Sequence, residues 1–410
     1  SILFREYRYK TVGLYLQADW RVRSNFTMNL GLRYEFLTIP QEARGNGSAI
    51  RDVLRDAQAT VSPELLGKNP SLRNFSPRFG FAWDIRGDSS TSVRGGFGLL
   101  YDIGGYGGAL TAAATGTPPF SNQSTVLLPA QFTIPFAFPA SAAGRAVRVM
   151  DYNHQQPHLL QYNLTVERRL PFDMALTLAY GGSRGINLPE RKDGNVAPGQ
   201  IVNGKLFWTG SEPRMNPNWT TNEFFTAGGN SYYHSLQAGL NKRFGRGLQF
   251  QSSYTYSKLI DEAQGQTGGD NTGVPVDSVH RELDRGPAEF DLTHNWRVNT
   301  IYRLPKLAVT GTRDKLLNGW WLSGILSLQS GYPMPITLGS NRSRSKATPG
   351  ANYPDLVAGR TRHDIVSGVS TGCSGVAAGT PLGTPDLFFD PCAFAIQPAG
   401  FLGNLGRNSL

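Results

Sequence analysis

Between residues 11 and 36, apolar and polar side chains alternate through two runs joined by one tight turn. Val12, Leu14, Leu16, Ala18, Trp20 and Val22 share one face of the first run, and Thr11, Gly13, Tyr15, Gln17, Asp19 and Arg21 share the other. Beyond Arg23-Ser24-Asn25, the apolar face continues through Phe26, Met28, Leu30, Leu32, Tyr34 and Phe36, and the polar face through Thr27, Asn29, Gly31, Arg33 and Glu35. A period of two predicts a hairpin from a sheet with one apolar face. Its strands are about twice the 5 to 6 residues common in soluble sandwiches. From Phe26 to Phe36 is about ten steps, which at about 3.3 Å each and a tilt near 45° span on the order of 23 Å, enough to cross a bilayer. Aromatic residues stand at both ends, as an interfacial girdle requires.

The same unit recurs. Phe75, Phe79, Phe81 and Trp83 turn at Arg86-Gly87-Asp88 into Val93, Phe97, Leu99 and Tyr101. Leu160, Tyr162, Leu164 and Val166 turn at Pro171-Phe172-Asp173 into Met174, Leu176, Leu178 and Tyr180. Tyr232, Leu236, Ala238, Leu240 and Phe244 turn at Gly245-Arg246-Gly247 into Leu248, Phe250, Tyr254 and Tyr256, and Trp296, Val298 and Tyr302 precede Trp320, Leu322, Leu326 and Leu328. Short turns near 24, 87, 172 and 246 alternate with long segments at 38–74, 103–157, 182–230 and 261–291. Short periplasmic turns and long extracellular loops are the pattern of outer-membrane barrels. No stretch reads as a membrane helix: the nearest, Leu127 to Ala143, is broken by Pro129, Pro135 and Pro139.

The expectation is an all-β, transmembrane antiparallel β-barrel domain over 1–410, with ten strands in 1–336 and a long extracellular segment in 337–410 that leads into a further strand. The chain starts without Met and stops without a closing aromatic strand, which reads as an internal fragment of a larger barrel.

Gly13-Leu14-Tyr15-Leu16-Gln17-Ala18-Asp19-Trp20, Leu30-Gly31-Leu32-Arg33-Tyr34-Glu35 and Phe75-Ser76-Pro77-Arg78-Phe79-Gly80-Phe81-Ala82-Trp83-Asp84 resemble the barrels of TonB-dependent outer-membrane receptors. Arg285-Gly286-Pro287-Ala288-Glu289-Phe290-Asp291-Leu292-Thr293-His294, Leu317-Asn318-Gly319-Trp320 and Phe401-Leu402-Gly403-Asn404-Leu405-Gly406-Arg407-Asn408 resemble the Oar-like subgroup. The resemblance implies a barrel of about 22 strands in the outer membrane, filled by an N-terminal plug domain, coupled to the TonB complex and taking up an unidentified solute. The expectation is a protein that is not an enzyme. A passive porin, a surface-display or adhesion barrel, and a secreted soluble all-β binding module are the alternatives.

The polar face carries Arg33, Arg78, Arg94, Arg243 and Arg297. One reading is a basic channel that attracts an anion; the plainer one pairs each Arg with nearby carboxylates or with a plug. Inward glycines such as Gly31, Gly80, Gly96, Gly98 and Gly239 leave room for a plug to approach. Trp208, Trp219, Phe224 and Phe225, with Tyr106, Phe120, Phe132, Phe136 and Phe138, are loop aromatics suited to solute contact; packing of the loops on themselves is the alternative reading. Asp277, His280, Glu282, Asp284, Glu289, Asp291 and His294 are metal-ligand types without metal-site spacing, and a solvated loop is the preferred reading.

Cys373 and Cys392 are the two cysteines of the chain. Export through an oxidising periplasm favours a disulfide, whose closed loop of about 20 residues contributes roughly 3 kcal/mol; two free thiols are the alternative. The net charge of +10 is ascribed to lumen Arg and anionic outer-membrane lipid, because no basic helix or phosphate loop points to nucleic acid. No cofactor is implied.

Overall fold

The computed structural model describes residues 2–121, 146–245, 247–262, 275–347 and 352–410. Ten long strands follow one another in antiparallel order: β1 (Thr11–Arg23), β2 (Phe26–Leu37), β3 (Phe75–Asp84), β4 (Thr91–Tyr101), β5 (His158–Leu170), β6 (Met174–Asp193), β7 (Asn222–Gly245), β8 (Leu248–Asp261), β9 (His294–Arg303) and β10 (Trp321–Gln329). Each pairs with its neighbour in sequence, so the order across the sheet is β1 to β10 without a crossover. The sheet is not closed: β1 and β10 each keep one bare edge among the described residues.

Register fixes the faces. Leu164 of β5 pairs with Tyr180 of β6 and Gly95 of β4, and Tyr180 pairs with Leu236 of β7. All lie on the apolar face, and Leu14, Leu164, Leu178, Leu236 and Leu326 are exposed there. A soluble protein would bury that face, whereas a membrane barrel turns it outward to hydrocarbon. Glycine serves this face where rings need room. A methyl on Gly182 would strike the Tyr162 ring at 2.4 Å, and one on Gly95 would strike Phe81 at 2.5 Å.

The strands are staggered. Trp20, Met28, Phe81, Gly95, Leu164, Tyr180, Leu236 and Tyr256 are successive cross-strand partners. With the tight turns set on one interface plane, this row climbs from about four residues above its turn to about ten, roughly 20 Å of rise over roughly 34 Å of sheet. The resulting tilt of about 30° is close to that which barrel closure demands. The turns are built for the sharp reversal. Gly87 takes a φ of 73°, and the Asp84 carboxylate accepts from the Gly87 and Ser89 backbones. Phe172 and Asp173 both adopt positive φ in the three-residue loop between the paired Leu170 and Met174, where the chain reverses sharply.

The structure extends some elements. β6 and β7 run past the expected strand ends to Asp193 and from Asn222, through register shifts at Gly185, Leu188 and Pro189, because the pairing persists after the lipid-dictated alternation has ended. Ahead of β1, Tyr7–Arg8 pairs with Gln41–Glu42. Short helices occupy Gly107–Gly116 and Thr312–Leu317 in the connections.

Leu176 lies on the lipid face midway between the turn at Phe172 and the Tyr180 ring, and Thr177 beside it points inward. Leu176→Arg in a refolded full-length protein is expected to cost about 2–4 kcal/mol, and Thr177→Arg less than about 1. Urea unfolding in phosphatidylcholine vesicles measures both.

Candidate functional site: the loop layer and the lumen wall

Among the described residues, the buried apolar side chains lie in the long segments and at the outer ends of the strands. Ile50 from the first, Val147 and Val149 from the second, and Trp219 and Phe224 from the third form one apolar cluster. Leu37, Leu66, Tyr106 and Met150 form a second, and Val276, Tyr353 and Leu405 a third. No single loop supplies enough apolar surface to order itself; several together do. The strand extensions carry the layer outward, with Val147–Met150 adding to β7 in parallel over Asn222–Phe225.

Two asparagines buried with these clusters, Asn195 and Asn216, are tied by hydrogen bonds, as burial favours. Asn195 Nδ2 donates to the backbone oxygens of Asn216 and Trp219 at 2.9 and 2.8 Å, and its Oδ1 accepts from Asn216 N. Asn216 Nδ2 donates in turn to Val53 O and Asp56 O of the first segment. Arg214 joins Asp193 to the backbone of Lys346, and Arg281 reaches Glu190 at 2.5 Å. Every long segment is thereby bound to another.

A second joint fastens the segment at 275–293 to the last stretch of chain. Arg407 pairs with Asp261 at 2.8 Å, and Asn408 Nδ2 donates to Pro287 O. Gly286 lies against the Arg407 backbone so closely that a methyl there would sit 2.6 Å from its oxygen. Asp284 accepts from Val276 N at 2.9 Å and from the Tyr353 hydroxyl at 3.5 Å. Burial pushes the Asp284 carboxyl up to about 7 and raises the Tyr353 phenol. A cavity of about 120 Å³ lies between Val276, Tyr353 and Leu402–Gly406. Sequence reading did not find this joint. Its signal was present, since the stretches at 285–294 and 401–408 carry the subgroup resemblance and meet here.

Trp208 and Trp219, expected as solute contacts, are 1% and 3% exposed, and Phe224 and Phe225 are also buried. This corrects the placement: their rings fill the layer, and the indole nitrogens donate inward, Trp208 to Ala197 O and Trp219 to Asp56 O. Tyr106 is buried beside His154, and Phe120 is half-buried under the Arg5 guanidinium. Phe132, Phe136 and Phe138 lie outside the described residues. Cys373 and Cys392 are joined by a disulfide. Among the described residues no group of three His, Cys, Asp or Glu side chains gathers as a metal site; Asp291 instead accepts from Leu259 N and pairs with Lys258.

The lumen arginines do not form one basic cluster. Arg33 pairs with Glu35 at 2.5 Å and Arg94 with Glu167 at 3.1 Å, while Arg297 donates to Asn295 Oδ1 at 3.3 Å. Arg78 has glycine on both sides, Gly31 on β2 and Gly98 on β4. Arg243 is exposed near its turn.

A family model described as an outer membrane beta barrel domain matches residues 2–410. The chain belongs to that family. Its place is the outer membrane, and its exposed apolar face is a lipid face. No curated protein sequence matches it. Similar solved structures include the outer membrane transporter YddB from Escherichia coli, at 12% identity and a TM-score of 0.47 over 82% of this chain and 35% of that one. Others are the alcaligin outer membrane receptor FauA from Bordetella pertussis, at 13% and 0.37 over 80% and 38%, and the siderophore receptor PiuA from Acinetobacter baumannii, at 10% and 0.38 over 72% and 31%. The chain spans about a third of the length of each.

Removing the Trp219 ring is expected to cost the layer about 3–5 kcal/mol. Hydrogen exchange should then rise at 50–56, 147–150 and 216–224 in Trp219→Ala, with strand amides at Leu164 and Leu178 unchanged.

Asp284 carries a carboxyl whose folded pKa lies above its unfolded value of 3.8. The stability it gives the joint is full below about pH 4 and is lost as pH rises through about 7. Between about pH 4 and 7, opening at 275–285 and 401–409 should rise by up to about tenfold per pH unit and level off above 7, after correction for intrinsic exchange. Asp284→Asn should flatten that dependence.

Proposed function

We propose that this domain is the barrel portion of a TonB-dependent outer-membrane receptor of the Oar-like kind, which binds a solute at the cell surface and passes it to the periplasm. The observation that supports it is the loop layer. A simple pore needs short or disordered loops, whereas here the strand extensions and the long segments build a layer with its own apolar clusters and buried polar ties. Ordering so many residues is costly, and a pre-ordered surface is what solute capture needs. The solute would meet the exposed rim of this layer, with Trp208, Trp219, Phe224 and Phe225 acting as its support.

The lumen wall fits the presence of a plug. Arg78 is exposed between Gly31 and Gly98, which carry no side chain to cover it, and this suits a carboxylate or backbone oxygen of a plug domain. Force from the TonB complex would then move the plug, and this domain would stay fixed. The reading contains no catalytic step and no cofactor.

Full-length protein in a planar bilayer separates this reading from a passive pore. The expected result is a closed barrel that conducts once urea loosens the plug. Steady ohmic conductance without denaturant would refute the plugged-receptor reading.

A further inference from the structure

Just above the aromatic band on the lipid face, two guanidinium groups share one aromatic ring. Arg184 of β6 and Tyr232 of β7 are direct cross-strand partners. The Arg184 guanidinium carbon lies 5.1 Å from the centre of the Tyr232 ring, and that of Arg285 lies 5.2 Å from it. Arg285 reaches this place because Gly286–Pro287 pairs with Ile260 and Asp261 at the top of β8, continuing the sheet. Register puts Arg184 on the face of Leu160, and Tyr232 on the face of Leu236, so the cluster looks outward.

Its depth follows from the same strands. Tyr162, Tyr180 and His234 form a contiguous aromatic array, with the Tyr180 hydroxyl 2.7 Å from His234 Nδ1. Such rings mark the level where hydrocarbon meets headgroups. On β6, Arg184 is the second outward position above Tyr180. It therefore stands in the headgroup layer of the outer leaflet.

Both guanidinium groups are exposed, and neither forms an ion pair with a described residue. Three carboxylates of the neighbouring elements are engaged elsewhere: Asp291 with Lys258, Glu262 with Asn230 Nδ2, and Glu282 with His280. Two like charges held by one ring at a dehydrated interface call for an anion. Inositol, glycerol or sugar would not neutralise them, whereas a phosphate monoester carries close to two negative charges at neutral pH and accepts fork-like bonds from arginine.

We propose that Arg184, Tyr232 and Arg285 form a binding site for the phosphate monoester headgroup of an outer-leaflet lipid. The site rests on the outer-membrane location and is independent of solute uptake. Lipid held there would brace the tops of β6, β7 and β8, which support the loop layer.

The test uses the full-length protein in detergent micelles, with dioleoyl phosphatidic acid as the probe and native mass spectrometry as the readout. One retained adduct is expected. Arg184→Gln and Arg285→Gln should each weaken it by about tenfold, and Arg297→Gln, which removes the same charge from the lumen wall, should leave it unchanged. Arg184→Gln changes an exposed strand position, so it answers the question even where Arg285→Gln disturbs its loop. Equal weakening by Arg297→Gln, or no change in the double variant, would overturn the site. Displacement by inorganic phosphate at the same concentration as by lipid would show a soluble-anion site and would also overturn the lipid assignment. Failure of either kind leaves the conductance result untouched.

Discussion

Inside hydrocarbon, a peptide group has no water to bond with, so each N–H and C=O must find its partner within the protein. The rest of this structure depends on that constraint. It sets strands long enough to cross, pairs each with its neighbour in sequence, and leaves side chains free to follow the two faces. The apolar set of Leu14, Leu164, Leu178 and Leu326 is exposed because its solvent is lipid. The polar face keeps serine, threonine, asparagine and glutamine, with ion pairs such as Arg94–Glu167 where charge enters.

Above the membrane the rule reverses, and the same chain folds by the logic of a soluble protein. Ile50, Val149, Trp219 and Phe224 retreat from water, and Asn195 and Asn216 knit the backbone around them. The two regimes meet in β6 and β7, whose lower halves alternate for lipid and whose upper halves are covered on both sides. Phe224, Phe225 and Ala227 are all buried at the top of β7.

That transition explains what the sequence could convey. Alternation through Val12–Val22 and Phe26–Phe36 revealed the strands because lipid enforces one apolar face, and the hairpin turns followed from Gly87 and Asp173. The upper parts of β6 and β7 were hidden, since a strand buried on both faces loses its period and the shifts near Gly185 and Pro189 displace its parity. Loop aromatics were visible as residues but not as buried ones, because Trp219 finds its partners at Ile50 and Asp56, far back in the chain. A disulfide was legible because only one pairing of two cysteines exists. The Arg184–Tyr232–Arg285 cluster could not be read at all, for it needs the register of three strands.

The continuous β6–β7 ladder has a mechanical meaning. A hairpin pulled open from its end breaks bond by bond, but one loaded along its length shares the force over every rung. The pair therefore acts as a stiff post between the periplasmic turn at Phe172 and the apolar cluster at Phe224. A load on the layer reaches the side-chain clasps first, such as Arg281 on Glu190, and these can yield and re-form while the post stands.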